Sequence, residues 1–422
     1  MAIIPRDTMP DSTLAFALEG YTFIRRRCQR YRADIFQTRL LFQRTICMLG
    51  AEAAELFYDT DRFERSGAAP RRVQETLFGR GGVQGMDGTA HRHRKAMFME
   101  LMSPASIQRL AELSVEQWRV HTEKWRRMDT VVLLSETQEI LCRTVCAWAG
   151  VPLAEAEVEQ RTKDFVAMIE GGGAIGPRHW RGRRARNRAE HWLGDFIEKV
   201  RRQEMPAEAD NALAVIALHR DMNGELLDKQ VAAVELINVL RPTVAVAWYT
   251  TFAALALHQH PECRRELDTD GYLELFVQEV RRFYPFFPVV AARVRHDFEW
   301  RGYPFPKGVR VLLDLYGTNH DPRQWDHPEQ FRPERFRHWD GGAFNFIPQG
   351  GGDHYRQHRC PGEWITIALM KAAIMLLIRL DYDVPTQDLR VSLMRMPTAP
   401  KSGFVIQHVG ETRGGVQVPK PR

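Results

Sequence analysis

One stretch narrows the folds open to this 422-residue chain more than any other: Phe346-Ile-Pro-Gln-Gly-Gly-Gly-Asp-His-Tyr-Arg-Gln-His-Arg-Cys360-Pro-Gly-Glu-Trp364. Glycines and prolines let the backbone close around one cysteine, and the apolar run that follows reads as a helix. A helix N-terminus offers the sulfur unpaired N–H groups and the positive end of a dipole, while His358 and Arg359 add positive charge. The segment therefore predicts a thiol of lowered pKa, a thiolate in place of an inert structural cysteine.

The remainder of the chain sets the frame for that cysteine. Apolar positions at three and four spacing predict helices over residues 105–125, 135–149 and 228–258. Strand-like segments are short and mostly C-terminal: 298–300, 309–313 and 403–407, separated by Pro and Gly turns. The expected fold class is mainly α with a small β component, built as one domain over residues 1–422, since no composition break marks a boundary.

Composition excludes several classes of function. A formal charge of +6 is modest for this length and gives no reason to expect nucleic-acid binding. Six arginines between Arg178 and Arg188, with Trp180 among them, suit either a solvated helix face or an acidic partner or membrane surface; the first reading is favoured. The six cysteines lack zinc-type spacing and point to neither a disulfide framework nor a structural metal, so a reducing cytoplasm is expected. The most apolar stretches, 244–257 and 365–380, are short or interrupted by Lys371, and no membrane anchor or leader is expected.

Two motifs precede the cysteine loop. Glu279-Val-Arg-Arg282 places an acid and a base one helical turn apart, and roughly fifty residues later comes Phe331-Arg-Pro-Glu-Arg-Phe336. In this order the residues resemble the cytochrome P450 superfamily. The resemblance implies a triangular prism of helices around a buried haem b, with Cys360 as axial iron ligand and Glu279, Arg282 and Arg335 as a structural ion network behind it. A thiolate on haem iron pushes electron density toward the opposite ligand and promotes O–O cleavage.

The central helix departs from the common pattern of that superfamily. It carries Arg241-Pro242 inside an otherwise apolar run, where ordinary members carry an acid or small residue followed by threonine. A helix-interior proline costs about 3 kcal/mol, and a buried unpaired charge costs several kcal/mol, about 3–5 where a partner has been removed. A substrate carboxylate would compensate, held bidentately by the guanidinium; a haem propionate or an exposed helix face are the other accounts of Arg241.

With the expanded loop from Gln349 to Cys360 and the segment Gln84-Gly-Met-Asp-Gly-Thr-Ala-His91-Arg-His-Arg-Lys95, this pair is similar to the bacterial fatty-acid peroxygenase family. That resemblance implies hydrogen peroxide as co-substrate, no obligatory redox partner, and hydroxylation of long-chain fatty acids at the α or β carbon. It assigns Arg241, with its neighbour Pro242, to the carboxylate. It places Gln84 over the haem, where glutamine goes with hydroxylation and histidine with decarboxylation to alkenes. It gives His91, Lys95 and Arg65 to the propionates. Phe78, Val289 and Val290 are expected to line the acyl channel, with Phe286 and Phe287 at its edge or in the core, and Gly171–Gly173 to shape its mouth or end a helix. A reductase-dependent monooxygenase and a non-catalytic haem protein are the rival readings.

Overall fold

A computed structural model describes residues 3–410. The longer helices are α1 (Gly88–Glu100), α2 (Pro104–Trp125), α3 (Leu133–Ala149), α4 (Val158–Gly171), α5 (Pro177–Arg201), α6 (Lys229–Gln259), α7 (Tyr272–Phe283) and α8 (Glu363–Leu377). Three of these are the helices expected from periodicity, with ends within two residues. Asp228 caps α6 by accepting the N–H groups of Gln230 and Val231.

α6 organises the molecule. Its residues are buried almost without interruption from Ala232 to Leu257, and α3, α4, α5 and α8 pack around it. It is long and apolar enough to cross a membrane, but 89% of that apolar window is buried inside the protein, which makes it a core helix. It also continues through Pro242. Packing on all sides stabilises a helix far more than one lost hydrogen bond weakens it.

Strand material is not confined to the C-terminal part, as the sequence suggested. A five-stranded sheet contains β1 (Ile35–Leu40), β2 (Gln43–Met48), β3 (Phe63–Glu64), β4 (Val289–Val294) and β5 (Arg310–Asp314) in the order β1-β2-β5-β4-β3. β1 and β2 form a hairpin with Leu40 opposite Gln43; β2 runs parallel to β5, and β4 antiparallel to it. The hairpin was missed because its turn lacks the usual Asn-Gly or Gly signal. Leu41 and Phe42 take positive φ of 54° and 60° instead. Their N–H groups are held from outside by Thr13 Oγ1 and Asp11 Oδ2, both at 2.6 Å.

Gly171 ends α4, and its missing side chain has a further use. A Cβ there would stand 3.1 Å from the Gly182 Cα of α5, and one at Gly182 would stand 2.7 Å from the Ala167 carbonyl oxygen. These two glycines let α4 and α5 cross backbone to backbone. The arginine-rich stretch is the start of α5 and has no single character. Arg186 is buried, Arg188 pairs with Asp164, and Arg178 donates to the Glu170 carbonyl, while Trp180 is exposed.

Candidate active site

The cysteine loop delivers Cys360 to the start of α8, whose N-cap is Gly362. The Cys360 N–H donates to the Gln349 carbonyl (3.1 Å), and the Gln349 amide nitrogen stands 3.9 Å from Sγ while donating to Thr366 Oγ1 (3.0 Å). The lowered thiol pKa expected from the sequence is not found. Burial pushes the Cys360 thiol up, and the Gly362 N–H, Lys95 and Arg281 oppose this only in part. The two basic residues next to it in sequence have other partners: Arg359 donates to Glu363 (2.7 Å), and His358 stands beside Asp87 (3.8 Å). A metal ion bound to the sulfur would deprotonate it outright.

Behind the loop every charge is matched. Glu279 on α7 is fully buried; Arg282 donates to both of its oxygens at 2.7 and 2.8 Å, the Arg332 N–H donates at 2.8 Å, and Arg335 lies 3.2 Å away. Arg282 also donates to the carbonyls of Asn319 and Pro328, each at 3.0 Å. A second network was not read from the sequence. Arg281, also buried, pairs with Glu363 and donates to Gln349 Oε1 (3.0 Å). Burial alone would raise the Glu363 carboxyl, but Arg281 and Arg359 hold it down at about 2. The repeated arginine after Glu279 was the available signal: neighbours on a helix point about 100° apart, so Arg281 and Arg282 serve different carboxylates.

At one edge of the loop, Arg65, His91 and Lys95 converge as the sequence grouped them. The His91 and His358 rings stack at 3.8 Å, and burial holds them at about 3 and about 4, well below the ordinary histidine value. Lys95 donates to the carbonyls of Gln357 and Arg359, and burial lowers it to about 8. Arg65 donates to the Ala291 carbonyl (2.9 Å) and lies over the Phe57 ring. Asp87 accepts the N–H groups of Arg65 and Ser66. Two buried cations, Arg65 and Lys95, neither with an ion-pair partner among the described residues, suit a ligand with carboxylates of its own.

Arg241 is the exception to all this pairing. It is 6% exposed in the middle of α6, it has no hydrogen-bond or ion-pair partner among the described residues, and its Nε is buried and unbonded. Burial first, and then the nearby charge of Arg186, depress it to about 9; the Cys360 sulfur acts in the opposite sense. Gln84 lies in a short turn (Val83–Gly85) against α6, where its Oε1 accepts from Asn238 at 3.2 Å. Asn238 in turn donates to buried Glu235, which also binds Arg94.

The expected channel residues are less tightly grouped. Phe78 is half-buried and closes the segment Gln74–Phe78. Its neighbour Leu77 presents a carbonyl to Arg186 (3.0 Å). Val289 and Val290 are half-buried on β4 but pack on different clusters, since adjacent strand residues face opposite sides. At most one of them can face a channel, so they do not form a single wall. Phe286 stacks on Tyr249 at 4.2 Å and belongs to the core, whereas Phe287 packs beside the sheet.

Among the described residues no group of three His, Cys, Asp or Glu side chains could hold a metal ion. An iron at Cys360 therefore fits as part of a group that brings its remaining ligands with it. A lone sulfur donor, flanked by cations lacking carboxylates, is what a haem requires of a protein.

The cytochrome P450 family profile matches residues 174–407. Cytochrome P450 71D94 of Mentha gracilis is 24% identical over 339 residues, covering 70% of this chain and 68% of that one. Solved structures match over nearly the whole length. Cytochrome P450SP alpha (CYP152B1) in complex with (R)-ibuprophen is 52% identical with a TM-score of 0.94, covering 95% of this chain and 99% of that one. Cytochrome P450EX alpha (CYP152N1) with myristic acid is 46% identical at a TM-score of 0.95, covering 97% and 100%. A variant of cytochrome P450 OleT in complex with arachidonic acid is 36% identical at 0.95, covering 98% and 100%. Likeness at that identity and coverage extends through both sides of the site, and on it the chain belongs to the cytochrome P450 family as a haem-thiolate enzyme akin to the CYP152 proteins.

Proposed function

We propose that this protein hydroxylates long-chain fatty acids at the α or β carbon with hydrogen peroxide. One observation carries the reading: a buried guanidinium, Arg241, in Coulombic reach of the cysteine sulfur, has no hydrogen-bond or ion-pair partner among the described residues. The bound ligands named for three relatives, (R)-ibuprophen, myristic acid and arachidonic acid, are all carboxylic acids and support an anion as the missing partner.

A haem b held by Cys360, with Arg65, His91 and Lys95 at its propionates, would supply the oxygen-transfer chemistry. Arg241 supplies position. Its planar fork binds the acid group through two charge-assisted hydrogen bonds, and the carboxylate so held is a proton acceptor and donor that this side of the site otherwise lacks. Gln84 cannot take that role because a neutral amide does not titrate. This supports hydroxylation over the decarboxylation that a titrating histidine would favour. Tethering by the carboxyl group leaves only the first carbons of the chain within reach of the reacting centre. Pro242 removes one N–H from α6 beside Arg241 and so leaves a carbonyl without its intrahelical donor. The tail runs past Phe78 and one face of β4, with each buried methylene contributing about 0.8 kcal/mol. In this reading the protein works as one domain without an obligatory redox partner.

The test is purified haem-loaded protein incubated with peroxide and a mixture of fatty acids, followed by product analysis. Hydroxy acids are expected, and Arg241→Ala is expected to retain the red-shifted ferrous carbonyl spectrum of thiolate ligation while losing turnover. Product formation only with NADPH and a reductase would overturn the reading.

A further inference from the structure

The turn that carries Gln84 is tied to α6 by a chain of hydrogen bonds whose polarity is set from one end. Glu235 accepts the Val83 N–H (2.9 Å) and Arg94 Nη1 (2.8 Å) on Oε1, and Asn238 Nδ2 (3.0 Å) on Oε2. The same Asn238 nitrogen donates to Gln84 Oε1 at 3.2 Å. A carboxylate paired with arginine only accepts, so Asn238 must turn its NH2 group toward Glu235. The second hydrogen of that NH2 group then takes the Gln84 oxygen. What Gln84 has left is its own NH2 group, which has no partner among the described residues.

We propose that Glu235 is a positioning residue: through Asn238 it makes Gln84 present N–H donors, and not its oxygen, to the substrate space, and this polarity biases which carbon of the bound acid is oxidised. The statement about products rests on the fatty-acid reading above; the statement about polarity does not. Arg94 makes the arrangement stiff. It sits on α1 between His91 and Lys95, so one helix fixes both the edge of the cysteine loop and the far end of this chain.

Glu235→Gln reverses the sequence of donors and acceptors. Val83 and Arg94 still require an acceptor at Oε1, so the new amide nitrogen falls opposite Asn238. Two NH2 groups cannot face each other; Asn238 rotates to offer Oδ1, Gln84 donates to it, and the Gln84 oxygen swings to the substrate side. Asn238→Leu instead cuts the chain while leaving Glu235 its bonds to Val83 and Arg94, and frees Gln84 to adopt both orientations.

Neutron diffraction from the deuterated haem-loaded protein reads the Gln84 amide directly, and turnover of myristic acid with peroxide reads the ratio of 2- to 3-hydroxy acid. The expected result is an NH2 group facing the substrate side in the native protein and an oxygen in Glu235→Gln. The product ratio should change about fivefold, the worth of one net hydrogen bond, and by a smaller factor in the same direction in Asn238→Leu. A residue that only supports the fold would lower stability in both variants without moving either readout. An unchanged amide, or unchanged product ratios in both variants, would overturn the proposal. If the native protein leaves myristic acid intact, the proposed reaction fails and the neutron result still decides the polarity.

Discussion

The two sides of the site differ in one buried charge. On the cysteine side Glu279 and Glu363 are each held by two arginines, Arg282 with Arg335 and Arg281 with Arg359. On the other side Glu235 is held by Arg94, but Arg241, also buried, has no hydrogen-bond or ion-pair partner among the described residues. A fold that places guanidinium groups so carefully in one half and leaves one bare in the other has left room for an anion that comes and goes. The contrast separates what holds the protein together from what it acts with.

The largest test removes a partner on the closed side. Arg282→Met should leave Glu279 buried without its main counter-charge, destabilising the fold by about 3–5 kcal/mol; denaturant unfolding measures it, and a shift under 1 kcal/mol would erase the contrast. Next, Arg241→Met should lower fatty-acid turnover about 10²- to 10⁴-fold, the usual range for losing a positioned proton carrier, yet leave the substrate-free protein as stable as before or more so. A clear loss of stability in that variant would mean that Arg241 has a structural partner after all.

A buried carboxyl with no ion-pair partner among the described residues provides a comparison with Glu363, and Arg25 nearby offsets its burial only in part. Asp314 accepts the Gly317 N–H at 2.7 Å, leaves its other oxygen unbonded, and is pushed up to about 7 by burial. A raised carboxyl pKa means that the native state keeps a proton the unfolded chain has released. The contribution of Asp314 to stability should therefore fall as pH rises from about 4 to 7, by a few kcal/mol at most. Asp314→Asn should flatten that part of the stability profile, and an unchanged slope would mean that the oxygen is paired. A fatty acid at about a hundred times its dissociation constant should add about 2.7 kcal/mol of stability to the native protein and almost none to Arg241→Met. Smallest of all, Asp228→Ala removes the cap of α6 and should cost about 1 kcal/mol with turnover retained.

The parts of this arrangement that could be read from the chain are those in which cause and effect lie close together in sequence. The cysteine loop, the Glu279–Arg282 pair and the oddity of Arg241-Pro242 are each contained in a few residues. The polar chain from Glu235 to Gln84 joins partners about 150 residues apart, and nothing local distinguishes Glu235 from an exposed helix residue. The β1–β2 hairpin escaped notice for the same reason, because its turn is held by Asp11 and Thr13 and not by its own chemistry. The Cys360 thiol was misjudged because burial outweighs the helix N-terminus and because adjacency was taken for contact: Arg359 is engaged by Glu363, and burial keeps His358 neutral beside Asp87.

Helix α6, enclosed from Ala232 to Leu257, also limits how relatives of this protein can change. Inserting or deleting one residue between Asn238 and Arg241 would turn one of them by about 100° relative to the other, uncoupling the grip on the acid from the group that faces it. Length variation should therefore collect in the connecting loops, while α6 evolves by replacement alone.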